Sequence, residues 1–236
     1  MLFRSGCVIP YSKVTTVQTL SEDLKVEKYA KAVTIEDITK YGAEIAVQKS
    51  DDAFLTQLQN GVLGKFYYFL NNASGITTDT STTWQGALAK AQGLVLNKFA
   101  TIQKEVTGVV GFANILDAYD YLGSASITVQ TAFGLTYVKD FLGYKTLFLL
   151  PASQIARNTV IATAVENVDL YYIDPADSEY GQVGLNYVTA GETNLIGFKV
   201  QGDYNTAVGQ SFAILGMALW AEYADGIAKV TVSANP

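Results

Sequence analysis

Ser50 to Asn72 reads SDDAFLTQLQNGVLGKFYYFLNN, and its spacing predicts one long helix. Ser50 stands where a side-chain cap is favoured, and Asp51 and Asp52 fall in the first turn beside the free N–H groups and the positive dipole end. Phe54, Leu58, Val62, Phe66 and Phe69 recur every three or four residues, and Leu55, Leu63 and Leu70 widen the stripe. Gly75 supplies the stop signal. At a rise of about 1.5 Å per residue the rod is about 33 Å long. The expectation is that Phe54, Leu58, Val62 and Phe66 are nearly buried against C-terminal strands, with Gln57 and Lys65 on the open side.

Upstream lies a charged, strand-like arm. Val8 to Leu20 and Leu24 to Val33 read as two strands joined through Ser21-Glu22-Asp23, with Lys13, Lys25, Glu27, Lys28 and Lys31 among them. A lone two-stranded hairpin buries too little apolar surface to be stable in water. Either the arm packs on its own domain, as most hairpins do, or it projects from the isolated subunit and gains its packing from neighbouring copies; the second is the expectation.

Downstream of the arm, Thr34-Ile35-Glu36-Asp37 resembles a capping box, and Gly42 closes the short helix it opens. Thr77 to Thr83 reads as a loop, and Trp84 to Ile102 as a second amphipathic helix. Val109 to Phe112 is a short buried strand, and Asn114 caps a helix over Ile115 to Leu122. Strands follow at Ser126 to Gln130, Leu135 to Phe141 and Lys145 to Leu150. Asn158 to Asn167 reads as helical, Val168 to Ile173 as extended and Asp174 to Asp177 as a turn. Leu195 to Gln201 is one strand. Gln210 to Tyr223 is a longer one, turned back by Asp225-Gly226 into Ile227 to Ser233 as a closing hairpin. Helices and strands mix without a βαβ rhythm, so the class is α+β.

Composition excludes several functions. The 236 residues contain no histidine, which removes the commonest general base, the commonest zinc ligand and every Ser-His or Cys-His nucleophile pair. Cys7 is the only cysteine, so no internal disulfide or thiolate cage forms. The net charge is −6 and the lysines are scattered, unlike the basic stripe of a nucleic-acid binder. No apolar run approaches the roughly 20 residues that cross a bilayer, and Met1 to Ser5 lacks the apolar core of a signal peptide. Metal and cofactor sites are expected to be none.

The remaining site candidates have plainer structural readings. Asp117 and Asp120 stand one helical turn apart, and a glycosidase works with two carboxylates and no histidine. The simpler account is that Asp117 completes a cap while Asp120 faces solvent. Asp174, Asp177 and Glu179 fail the spacing of a calcium loop. Asn72-Ala73-Ser74 matches a glycosylation sequon without a secretory context. Gly61 and Gly64 lack the Lys-Ser/Thr of a phosphate loop, and each costs about 1 kcal/mol against alanine inside a helix. Close approach of another backbone, or a bend, accounts for them better.

Two segments carry a family resemblance. Asn158 to Tyr172, NTVIATAVENVDLYY, is similar to runs in HK97-type major capsid proteins of tailed bacteriophages, in particular phages of Gram-positive hosts. Ala218 to Val230, ALWAEYADGIAKV, is similar to the closing hairpin of the same group. The order of arm, long helix, mixed middle and returning strands also resembles that family. The resemblance implies an E-loop arm at 1–35 lying over a neighbouring subunit. It further implies a peripheral P-domain from 36–83 and 206–236, and an axial A-domain from 84–205. It implies a structural subunit and no enzyme, self-assembling through hexamers and pentamers into an icosahedral virion shell. Portal and scaffolding proteins would be partners, double-stranded DNA would be enclosed without sequence-specific binding, and assembly would occur in the host cytoplasm. The sequence is expected to begin inside the E-loop, since Leu2-Phe3-Arg4-Ser5 is what one frame of a common sequencing adapter encodes. The same fold builds encapsulins, the alternative shell reading. The alternative of another class is a carbohydrate-active enzyme using Asp117 and Asp120.

Overall fold

The computed structural model describes residues 24–123, 130–132, 135–191 and 193–233. The chain opens with strand β1 (Glu27–Thr34) and helix α1 (Ile35–Tyr41), where Thr34 accepts the Asp37 N–H and Gly42 ends the helix at a positive φ. A π-helical turn, Glu44–Gln48, then runs into α2 (Lys49–Asn72). Because the helical backbone is already continuous there, Ser50 caps nothing. Strand β2 (Thr77–Ser81) and helix α3 (Trp84–Thr101) follow, the latter capped by Thr83. Next come β3 (Val109–Asn114), α4 (Ile115–Leu122), β4 (Gln130–Ala132), β5 (Leu135–Phe141), β6 (Tyr144–Leu150), β7 (Thr159–Ala164) and β8 (Val168–Tyr172). The chain closes through α5 (Ser178–Gln182), β9 (Val188–Ala190), β10 (Ile196–Asp203), β11 (Val208–Leu215), β12 (Met217–Ala221) and β13 (Ile227–Val232). The class is α+β, as expected.

Three sheets organise these elements: four strands in the order β1-β11-β10-β9, a ribbon β12-β8, and seven strands in the order β2-β13-β7-β3-β6-β5-β4. Helix α3 covers one face of the seven-stranded sheet, setting Ala87, Leu88, Ala91, Val95 and Phe99 against Leu147, Leu149, Val160, Ala162 and Val230. The C-terminal half of α2 covers part of the other face, with Tyr67 and Leu70 against Phe112, Leu150, Ile161 and Ile227. Its N-terminal half lies on the four-stranded sheet, where Leu58 meets Ile196 and Ala213, and Val62 meets Leu195 and Leu215. One helix therefore ties two sheets together. This corrects the expected stripe: Leu58 and Val62 are buried, but Phe54 and Phe66 are only half-buried, and Tyr67 and Leu70 take over. Gln57 is exposed as expected, whereas Lys65 pairs with Glu27 of β1.

The arm also needs correction. Its residues 8–23 lie outside the described residues. Glu27 to Thr34, however, pairs antiparallel with β11 along its whole length, from Glu27 opposite Leu215 to Thr34 opposite Val208. The lone hairpin was the wrong reference. Strand β11 supplies the ladder and α2 covers Tyr29, while Lys31 reaches Asp51, which also accepts the Ser211 hydroxyl at 2.6 Å.

Asn158 to Asn167 is not a helix. All six residues of β7 are buried, between β13 on one edge and β3 on the other. A strand covered on both faces loses its alternation, and its apolar residues then fit helical spacing equally well. Thr77 to Ser81 is likewise not a loop, because β13 pairs with it in parallel.

Nor is there a closing hairpin. The long strand breaks at Gly216, where a Cβ would lie 2.7 Å from Ile173 Cδ1. Beyond the break β12 pairs with β8, while β13 crosses into the seven-stranded sheet. Buried Asn167 directs the crossing. Its amide donates to Tyr223 O and accepts from Tyr223 N, both at 2.9 Å. The sheets thus divide the chain differently from boundaries at residues 83 and 206. Strands β2 and β13 belong with the middle of the chain, and β9 and β10 with β11.

Candidate functional site

Asp117 lies in the first turn of α4, which Asn114 caps through its side chain. It is buried, and it accepts from Arg157 Nε at 2.8 Å and from Asn158 N. Asp120 is exposed and takes the other end of the same guanidinium. The two acids hold the Arg157 proton more tightly than usual, Asp117 contributing most. Both carboxylates are engaged by one cation, and the cluster latches α4 to the start of β7. A general acid and a water-activating base need independent carboxylates facing a substrate, which this arrangement does not offer.

Asp174 accepts from Ala176 N, and Asp177 from Glu179 N at the head of α5, so these acids serve a turn and a cap. Among the described residues no group of three or more His, Cys, Asp or Glu could hold a metal ion. No helix among them is long and apolar enough to cross a membrane. Cys7 lies outside the described residues. Asn72 of the sequon donates to Tyr68 O at the end of α2.

The surface features that remain gather along α2. Beside its N-terminal half, a hollow of about 250 Å³ is lined by Tyr29, Phe54, Leu58, Gly61 and Lys65. There Glu27 accepts the Tyr29 hydroxyl at 2.5 Å and pairs with Lys65. Those partners, Lys65 first, lower the Glu27 pKa, and the carboxylate pushes Tyr29 up to about 12. Between α2 and the ribbon, an apolar groove of about 450 Å³ is lined by Leu63, Phe66, Leu170, Tyr172, Met217 and Leu219. A third hollow, of about 390 Å³, lies at the C-terminal end of the helix and is polar, with Asn71, Gln154 and Lys229 in its wall.

None of these hollows converges catalytic groups. They are shape on a surface that also exposes Tyr68, Leu170, Tyr171 and Tyr172. Sequence reasoning missed this surface, although Leu170-Tyr171-Tyr172, a run without alternation in a strand, was a visible sign of it.

No family model matches the sequence, and no curated protein matches it. Solved structures do. A structure of Mycobacterium phage Che8 matches with a TM-score of 0.53 at 12% identity, over 97% of this chain and 83% of that one. A virus-like particle from Pyrococcus furiosus matches with a TM-score of 0.53 at 10% identity, over 89% of this chain and 76% of that one. The holo-SrpI encapsulin complex from Synechococcus elongatus matches with a TM-score of 0.51 at 11% identity, over 89% and 74%. At such identities the likeness is one of fold, and the fold is HK97-like.

Proposed function

We propose that this chain is the major capsid subunit of a tailed bacteriophage, assembling with copies of itself into an icosahedral shell that encloses double-stranded DNA. The observation that carries the reading is the match over 97% of the chain to a phage structure, through a helix that ties two sheets together. Shell assembly is common to the virus-like particle and encapsulin matches as well, which supports self-association as the coarse function. In this reading α1, α2, β1 and β9 to β11 form the peripheral domain. The seven-stranded sheet with α3 and α4 forms the axial one, and the residues before β1 form the arm that reaches a neighbour. Portal and scaffolding proteins would be partners, the virion its destination and the host cytoplasm its place of assembly. The acidic chain, at −6, suits DNA that is enclosed and not gripped.

The encapsulin reading has a match of similar quality, but over 89% of the chain. Expression of the chain followed by electron cryomicroscopy of the particles tests both. Closed empty shells that package DNA when the neighbouring phage genes are supplied support the proposal. Shells that form around a folded protein cargo transfer it to the encapsulin class, and a chain that stays monomeric at assembly concentrations defeats both.

A further inference from the structure

Gly61, Gly64 and Tyr68 lie on one face of α2, three and four residues apart. A Cβ on either glycine would meet nothing within 4 Å, so neither close packing nor a positive φ requires glycine there in this chain. Each still weakens the helix by about 1 kcal/mol against alanine. Tyr68, on the next turn, is 72% exposed, the extreme among the tyrosines and phenylalanines of the helix.

Tyr68 forms part of the rim of the polar hollow of about 390 Å³, whose wall also includes Gly64, Tyr67, Asn71, Gln154 and Lys229. Gln154 Oε1 is buried in this wall and has no hydrogen-bond partner among the described residues. A buried acceptor left without a donor costs about 1–3 kcal/mol. Among the described residues the Lys229 ammonium reaches only the Asn71 carbonyl, at 3.3 Å. Gln154 Oε1 thus has no donor among the described residues, although Asn71 and Lys229 stand in the same wall, and the exposed Tyr68 phenol at the rim makes no hydrogen bond there either.

We propose that this face is an isologous contact between two copies of the chain. The Tyr68 ring of each copy fills the other's hollow and donates its O–H to Gln154 Oε1, and Gly61 and Gly64 let the two helices approach closely. A second copy is the occupant because knob and hole sit on one face, so a two-fold axis satisfies both at once. The residues lining the hollow include no carboxylate, so two copies bring no acidic repulsion together in a chain of net charge −6. The inference deepens the shell reading and rests on it for the size of the assembly, though not for the contact.

Sedimentation velocity of wild type, Gly64→Lys, Tyr68→Ala, Tyr68→Phe, Gln154→Leu and the Tyr68→Phe, Gln154→Leu pair tests it, with thermal melts of the dispersed subunits. Gly64→Lys should melt no lower than wild type, because its side chain enters open space, yet raise the concentration needed for association at least tenfold. Tyr68→Ala should do the same. The paired variant should associate no worse than Tyr68→Phe alone, since the same two symmetry-related hydrogen bonds are lost in either case. Association of Gly64→Lys and Tyr68→Ala at the wild-type concentration would overturn the contact. If wild type forms dimers but no particles, the shell reading fails and the contact stands; a strictly monomeric wild type sinks both.

Discussion

The seven-stranded and four-stranded sheets share one helix, and they are stabilised very differently. In the first, α3 fills one face and the end of α2 part of the other, so β7 is buried at every residue. In the second, the N-terminal half of α2 covers one face. Strand β1 alternates accordingly, with Tyr29, Lys31 and Val33 inward and Lys28, Ala30 and Ala32 outward. The inward set even includes a lysine, which Asp51 of α2 neutralises. Two-sided burial removes the sequence signal that one-sided burial preserves.

The contrast predicts where the molecule breaks. Leu88→Ala, fully buried under α3, should cost about 4 kcal/mol, and Leu58→Ala, 6% exposed over the thinner sheet, about 2–3 kcal/mol. Urea unfolding of both variants measures the gap, and equal losses would erase the distinction between the two cores. Asn167→Ala should cost about 2 kcal/mol, since it strands the Tyr223 N–H and leaves the Tyr223 carbonyl with the Gly226 N–H alone, where β12 hands the chain to β13. Hydrogen exchange should then show β13 amides opening before those of β6; uniform opening would mean that Asn167 does not guide the crossing.

The two regions should also respond to opposite ends of the pH scale. Burial raises the Tyr67 phenol to about 12. The folded state therefore keeps its proton longer than the unfolded chain, and stability present below pH 10 falls as pH climbs toward 12. The loss is on the order of 2 kcal/mol at the upper end, and Tyr67→Phe should lessen it. Glu27 is depressed by Lys65 and Tyr29, so its contribution is present above its unfolded pKa and fades as pH drops through the folded value. The Glu27 side chain is 40% exposed, and screening by water limits the effect to a few tenths of a kcal/mol. Melts of Glu27→Gln between pH 3 and 6 should converge with wild type at the acid end; curves that stay parallel would mean that the pair contributes nothing to anchoring β1.

Sequence by itself determined the long helix, the Thr34 and Asn114 caps, the α+β class and the lack of histidine chemistry. Each rests on local spacing or on residue identity, which need no partner to be read. The Asp117–Arg157–Asp120 latch was half legible: the acids announced themselves, but Arg157 lies some forty positions away and only folding brings it to them. Tertiary structure alone decided the rest. It made a strand of Thr159 to Ala164, inside the stretch read as a helix, by burying both faces. It split Gln210 to Tyr223 at Gly216 because Ile173 needs the space, and it drew Glu27 to Thr34 onto β11 of the same chain. Pairing between strands far apart in sequence is a competition among partners, and its outcome depends on which helix is there to cover the winner.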